Sequence, residues 1–216
     1  MATNQKQQPE EIQVSKSEKF VETYGKKVLY IVIAIVVILA ASIGCSKCSD
    51  SRNEKASQSE ALYQAQFDFE AGNYAAALEN FESVIKEYGS TKSGNIAKAY
   101  AGLCQKQLGD LNAAISYLKD YSGSDAVVAP AILSALGDFY VELETPDYAA
   151  AAKSFEKAAS AANNVQFSPL FLFKAGLAYE ALGDKAKALK AYETIKNSWA
   201  DSEQAYTIDK YIVRVK

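Results

Sequence analysis

Hydrophobic and polar positions divide the chain into two unlike parts. Residues 28–44 (VLYIVIAIVVILAASIG) carry no charge, and eleven of these seventeen residues are Ile, Leu or Val. From about residue 55 onward, apolar residues recur every three or four positions, which is the spacing of amphipathic helices. The pattern therefore predicts one long apolar helix followed by a series of helices that each bury one face.

We predict that this series consists of four helix pairs, each with a first helix (A) and a second helix (B). The A helices are expected near residues 56–71, 93–108, 130–144 and 169–182. The B helices are expected near residues 74–88, 111–121, 148–162 and 185–197. A ninth helix is predicted to open at Asp201-Ser202, which supply its N-cap, and to bury one face as a cap on the series: Ala205, Ile208, Tyr211 and Ile212.

The same turn separates helix A from helix B in every pair. It recurs every 37 residues, as Gly72-Asn73-Tyr74, Gly109-Asp110-Leu111, Pro146-Asp147-Tyr148 and Gly183-Asp184-Lys185. An alanine follows each turn at the place where two helices approach closely, and a large residue follows one turn later to fill the gap between neighbouring repeats. A fixed period of this length is typical of a helical solenoid. The repeat-defining positions are Ala77, Phe81, Gly102, Ala114, Leu118, Gly137, Tyr140, Ala151, Phe155, Gly176, Tyr179, Ala188 and Tyr192.

These positions resemble the tetratricopeptide repeat over about residues 58–197. The resemblance implies an all-α solenoid of four helix pairs with a C-terminal capping helix. The first unit departs from the family pattern, because Asp68 stands where a tyrosine is usual. The third unit carries two extra residues before its turn, near Glu144-Thr145.

The resemblance also implies a peptide-binding groove lined by the A helices. The family's carboxylate clamp of Lys and Asn has no counterpart at the groove positions, so an apolar segment or a partner helix is the expected ligand. A second interpretation remains open, in which these side chains pack against the terminal helix or a neighbouring repeat. The candidate groove residues are Leu62, Gln66, Phe69, Ala99, Leu103, Ser134, Asp138, Phe173 and Leu177.

The apolar run predicts a membrane-spanning helix. Seventeen helical residues cover about 25 Å, and extension to residues 25–45 reaches the roughly 30 Å of a hydrocarbon core. We therefore expect a partly disordered cytoplasmic tail (1–24), a transmembrane helix (25–45), a connector (46–57) and a repeat domain (58–216). Lys26 and Lys27 favour an N-terminus inside the cell, which places the repeat domain in the periplasm of a bacterium with the span in its inner membrane.

The cysteines leave two alternatives open at the end of this run. Gly44-Cys45 resembles the end of a lipobox, although Ser42 stands where that motif prefers leucine. Lipidation of Cys45 would make the protein a lipid-anchored repeat scaffold of an outer-membrane or cell-wall assembly complex. Cys45 and Cys48 could instead form a local disulfide in an oxidising compartment. Cys104 falls inside a predicted helix and is expected to be buried.

Composition favours binding over catalysis. The chain has no histidine and a net charge of −3, so it offers no usual general base and no basic surface for a nucleic acid. We predict no enzymatic activity and no catalytic, metal or cofactor site. The layout of tail, span and repeat domain is similar to that of the YfgM-type ancillary subunits of the bacterial Sec translocon. This resemblance implies binding to the SecYEG channel, to a membrane-bound periplasmic chaperone or to emerging polypeptides.

Overall fold

The computed structural model describes residues 59–216, and all regular structure in this range is helical. The predicted tail, transmembrane helix and connector lie outside the described residues. Between residues 59 and 216, no helix combines the length and the apolar character that a bilayer crossing requires. The helices are α1 (59–70), α2 (Tyr74–Tyr88), α3 (Lys92–Leu108), α4 (Leu111–Lys119), α5 (Val128–Glu142), α6 (Tyr148–Ala162), α7 (Ser168–Leu182), α8 (Lys185–Ser198) and α9 (Ile208–Val215).

The helices form the expected solenoid of four A/B pairs. From α2 onward, each helix packs against the next one in the chain, and α9 packs against α8. Helix α1 joins the same stack, because its Ala65 lies in one core cluster with Ala77 and Phe81 of α2. The A helices are α1, α3, α5 and α7, and the B helices are α2, α4, α6 and α8.

The turns between A and B helices follow the repeat closely. Gly72, Gly109 and Gly183 adopt φ values of +80°, +90° and +84°, a region that glycine enters without steric cost. In each of these turns the next residue donates its N–H to the carbonyl five residues earlier, as Asp184 does to Tyr179 at 2.9 Å. In the third unit Asp147 donates instead to Tyr140, seven residues earlier. The two extra residues are therefore absorbed before the turn, as the sequence predicted.

Aspartates cap three of the four B helices. The side chains of Asp110, Asp147 and Asp184 each accept a hydrogen bond from the N–H three residues later, at 2.9 to 3.1 Å. These bonds satisfy N–H groups that have no partner within the helix. Asn73 makes no such side-chain bond to α2, so the first B helix lacks this cap.

Glycines mark the crossing of helix A over helix B in the last three units. A Cβ added at Gly102, Gly137 or Gly176 would lie within 3.0 Å of the side chain of Leu118, Phe155 or Tyr192 respectively. Each large residue therefore covers the glycine of its own repeat. The large residues also contact the following repeat, as the sequence predicted: Phe81 stacks on Tyr100 of α3, and Lys174 of α7 lies 5.4 Å from the centroid of the Phe155 ring.

The C-terminal cap begins later than predicted. A short 3₁₀ turn, η1 (Gln204–Thr207), precedes α9, and the Ser202 hydroxyl accepts a hydrogen bond from the Ala205 N–H at 3.3 Å. Helix α9 then buries Ile208, Ile212 and Val215 against α7 and α8. The capping role is as expected, although Asp201-Ser202 do not start the α-helix itself.

The thiol of Cys104 in α3 is buried, as predicted, and burial raises its pKa to about 11.

Candidate functional site

A hollow of about 270 Å³ opens on the solenoid surface between α5, α6 and α7. Its walls are largely apolar, and Val141 and Leu177 on either side are 37% and 38% exposed. The floor includes the Phe155 ring, which the glycine at position 137 allows to approach α5 closely. The lining residues are Asp138, Val141, Tyr148, Phe155, Lys174, Leu177 and Ala178.

Lys174 stands at the rim of this hollow and joins two A helices. Its ammonium group donates to both carboxylate oxygens of Asp138, at 2.8 and 3.0 Å, and to the hydroxyl of Ser134 at 3.4 Å. It also lies 5.4 Å from the centroid of the Phe155 ring, within the range of a cation–π contact. The rim is thus polar but internally neutralised, so it does not demand a charged ligand.

Ion pairs of this kind connect successive A helices and also join the last A helix to α9. Lys106 of α3 pairs with Glu142 of α5 at 3.2 Å, and Arg214 of α9 pairs with Glu180 of α7 at 2.7 Å. The Lys174–Asp138 pair lies between them in the series. Exposed pairs contribute little stability individually, about 0–1 kcal/mol. Their main consequence is that the charges of these acidic and basic side chains neutralise each other.

The structure places the candidate groove residues of the first two units mostly in contact with the core. Leu62 and Phe69 are half-buried against the first core cluster, and the Phe69 ring lies 5.2 Å from that of Tyr100. Gln66 is also half-buried. In the second unit Ala99 is only 4% exposed and Leu103 packs against the neighbouring cluster, so neither offers an open side chain.

In the last two units, the candidate residues divide between the hollow and the C-terminal cap. Asp138 and Leu177 line the hollow, and buried Ser134 contacts it only through Lys174. Phe173 instead packs edge-on against Tyr211 of α9, with ring centroids 4.7 Å apart. Packing against the terminal helix, which the sequence left open, is therefore the arrangement at Phe173.

Sequence reasoning missed four residues of the hollow: Val141, Tyr148, Lys174 and Ala178. A usable signal existed for two of them. Val141 follows Asp138 by three residues and Lys174 precedes Leu177 by three, so each shares a helix face with a residue that was chosen. Tyr148 carried no such signal, because it is the first residue of a B helix and the groove residues were sought on A helices. It lines the hollow because α6 packs against α5 and α7.

The size of the hollow indicates what it can bind. Small-molecule sites usually enclose about 300–1,000 Å³, so this open depression is small for a cofactor or metabolite. One large apolar side chain of another protein is a better match to its volume and lining. Among residues 59–216, no group of three or more His, Cys, Asp or Glu side chains is placed to hold a metal ion. Fold and hollow together define a helical-repeat protein with an open, largely apolar hollow on its surface.

The chain belongs to the tetratricopeptide repeat-like domain family, whose family model matches residues 18–216. Repeat domains of this kind are typically scaffolds for protein–protein interaction and not catalysts. No protein of curated function matches the chain significantly.

Solved structures support the fold. A tetratricopeptide repeat protein from Parabacteroides merdae ATCC 43184 superposes with a TM-score of 0.56 and 16% identity, covering 73% of this chain and 59% of that one. The MamA protein superposes with a TM-score of 0.52 and 19% identity, covering 73% of this chain and 89% of that one. A putative kinesin light chain from Podosopora anserina with nearly identical TPR-like repeats superposes with a TM-score of 0.52 and 14% identity. The match covers 72% of this chain and 83% of that one. At these identities the likeness concerns the fold alone.

Proposed function

We propose that the protein is a membrane-anchored binding module that holds apolar segments of other proteins in the hollow between α5, α6 and α7. The observation that carries the proposal is an open apolar hollow, with exposed Val141 and Leu177, on a repeat domain whose family typically binds proteins. An apolar side chain entering the hollow would be removed from water. Backbone groups on either side of it could hydrogen-bond to Lys174 and Asp138 at the rim.

The membrane anchor in this proposal is the apolar run 28–44. Its uncharged length suits a single span, and Lys26-Lys27 favour a cytoplasmic N-terminus. The family match begins at residue 18 and so includes this run. This favours a span that stays in the mature protein over a signal peptide that is cleaved. The repeat domain would then lie in the periplasm, beside the inner membrane of a bacterium.

The partners we propose are proteins at the site of membrane translocation. A single-pass anchor would tether the repeat domain to the membrane, where apolar segments of emerging chains and membrane-bound chaperones are both present. The resemblance to ancillary Sec translocon subunits points to the same partners, SecYEG and a periplasmic chaperone. The protein would act as an accessory factor that binds without chemistry of its own.

Site-specific crosslinking in native membranes tests this function. A photoreactive amino acid replaces Leu177 in the hollow or, as the matched control, Leu182, which is exposed on the same helix outside it. We expect translocon, chaperone or nascent-chain products from position 177 and not from position 182. Identical products from both positions would contradict binding in the hollow. Products from position 177 that belong only to another complex would remove the Sec assignment.

The anchor is tested separately by the mass of the mature protein. An uncleaved span predicts an N-terminus at or near Ala2. A mature chain that begins at a lipidated Cys45 would replace this proposal with the lipid-anchored scaffold of an outer-membrane or cell-wall complex.

A further inference from the structure

The outer face of α1 exposes aromatic side chains in an ordered row. Tyr63 and Phe67, one helical turn apart, are 68% and 57% exposed. Glu60 and Gln64 are exposed beside them, so the four residues follow the i, i+3, i+4, i+7 spacing of one helix face. We call this row, Glu60, Tyr63, Gln64 and Phe67, the α1 outer face.

The same face is covered in every later A helix. Ala65 is the small residue at which α1 crosses α2, and Phe67 lies two residues after it. The equivalent residues in the later A helices are Cys104, Phe139 and Ala178, which are 0%, 5% and 4% exposed. The equivalents of Gln64 are likewise buried: Ala101, Leu136 and Ala175. A preceding B helix supplies the cover. The α1 outer face is therefore a helix-docking surface whose helix is not among residues 59–216.

The packing of α2 on α3 shows what kind of helix fits. Tyr100, the equivalent of Tyr63, stacks on Phe81 of α2 with ring centroids 5.1 Å apart. Buried Val84 and Tyr88 of α2 continue that stripe within the same core cluster. A matching helix would thus present one aromatic and further apolar residues at spacings of three and four.

The connector of this chain does not carry such a stripe. Residues 46–58 read SKCSDSRNEKASQ and contain no Val, Leu, Ile, Met, Phe, Tyr or Trp. Burial of Tyr63 and Phe67 against this segment would leave their rings opposite polar side chains. This segment therefore does not supply the matching helix.

Charge narrows the chemistry of the occupant. Residues 59–70 contain Glu60, Asp68 and Glu70 and no lysine or arginine. Asp68 accepts a hydrogen bond from Asn80 at 2.8 Å, while Glu60 and Glu70 are exposed on a helix that carries no cation of its own. A second α1 on this face would bring like charges together, whereas basic residues beside an apolar stripe would complement it.

We propose that the α1 outer face docks an α-helix of a partner protein, which presents an aromatic-containing apolar stripe flanked by lysine or arginine. The partner helix takes the place that a preceding B helix holds in the rest of the solenoid. This surface is separate from the hollow at α5–α7, and the proposal does not depend on what the hollow binds.

A peptide based on the sequence of α2 tests the proposal with the full-length protein in detergent. The probe is a fluorescent peptide of residues 74–88 in which Glu79, Glu82 and Glu87 are exchanged for lysine, and binding is followed by anisotropy. We expect Phe67→Ala and Phe67→Glu each to weaken binding at least about tenfold, which corresponds to about 1.4 kcal/mol. Leu177→Glu in the hollow should leave the affinity for this peptide unchanged. The peptide with its native glutamates should bind more weakly than the lysine form.

Three results would overturn the proposal. Equal binding by wild type and both Phe67 variants would show that the peptide binds elsewhere. Loss of binding in Leu177→Glu alone would assign the peptide to the hollow, in support of the proposed function instead. A dimer seen by sedimentation velocity and abolished by Phe67→Glu would mean that a second copy covers the face. Circular dichroism of each variant establishes that it is folded, as expected for substitutions at exposed positions.

Discussion

The two ends of this solenoid are finished differently. At the C-terminal end, α9 covers the last repeat and buries Ile208, Ile212 and Val215, which are 1%, 6% and 5% exposed. At the N-terminal end of the described chain, the outer face of α1 leaves Tyr63 and Phe67 in contact with solvent. One end of the same repeat array is sealed and the other is open.

Helix α9 seals its end because it imitates the next A helix. Its Tyr211 packs on Phe173, and its Arg214 pairs with Glu180 much as Lys174 pairs with Asp138 one repeat earlier. A solenoid buries a continuous core only where each repeat has a neighbour, so a terminal repeat needs a substitute. The α1 outer face is exposed because no helix among residues 59–216 packs on it, whereas a preceding B helix covers the same positions in the later A helices.

The largest effect we expect comes from one pair of phenylalanines. Phe139 and Phe67 occupy equivalent positions in α5 and α1, but they are 5% and 57% exposed. Phe139→Ala should lower the free energy of unfolding by about 3–5 kcal/mol, because it empties a packed core site. Phe67→Ala should change it by no more than about 0.5 kcal/mol. Urea unfolding followed by circular dichroism measures both, and similar losses would mean that α1 is covered in the protein.

The seal itself is tested by a change on α9. Ile208→Ala removes a side chain that is 1% exposed and should cost about 2–5 kcal/mol. Val213→Ala on the same helix is the control, because Val213 is 74% exposed and its loss should cost less than about 0.5 kcal/mol. Both are measured by urea unfolding. If Ile208→Ala were as mild as its control, α9 would not be part of the cooperative fold.

A third test exchanges the small residues at which helices A and B cross. Gly176 of α7 faces Tyr192, whose hydroxyl donates to Glu180 and so cannot swing away freely. Gly176→Ala should therefore destabilise the protein by about 1–3 kcal/mol through overpacking. At the open end the same position already holds Ala65, and Ala65→Gly should cost about 1 kcal/mol through lost helix propensity. A gain of thermal stability in Gly176→Ala would show that the crossing is loose.

The repeat spacing predicted the helices and turns well, because neighbouring residues in the sequence determine where each helix begins and ends. Helices α2 and α6 have the predicted limits, and the two extra residues of the third unit lie where the sequence placed them. The binding surface was harder to predict. Spacing gives the direction in which a side chain such as Phe173 points, but not whether another helix covers it. Ala99 and Phe173 are covered by neighbours whose positions only the assembled solenoid determines.

The smallest effect we expect is a pH dependence at the sealed end. Burial works against ionisation of Glu180, but hydrogen bonds from Arg214 and Tyr192 outweigh it and lower the pKa of Glu180 below its usual value. A carboxyl with a lowered pKa stabilises the fold above its unfolded pKa, about 4.3. This contribution is lost as the pH falls through the lower pKa of the folded state. The open end differs, because residues 59–70 contain no lysine or arginine that could hold a carboxylate in the same way.

The pH dependence can be followed with a single probe at the sealed end. Trp199, the only tryptophan, lies directly after α8 and beside the cap, so its fluorescence follows unfolding there. Wild type should be more stable than Glu180→Gln at neutral pH, and the difference should shrink between about pH 5 and pH 3. The Lys196–Asp209 pair also joins α8 to α9, but it is present in both proteins and so does not account for a difference between them. A difference that stays constant with pH would mean that Glu180 holds α9 by packing and not by its charge.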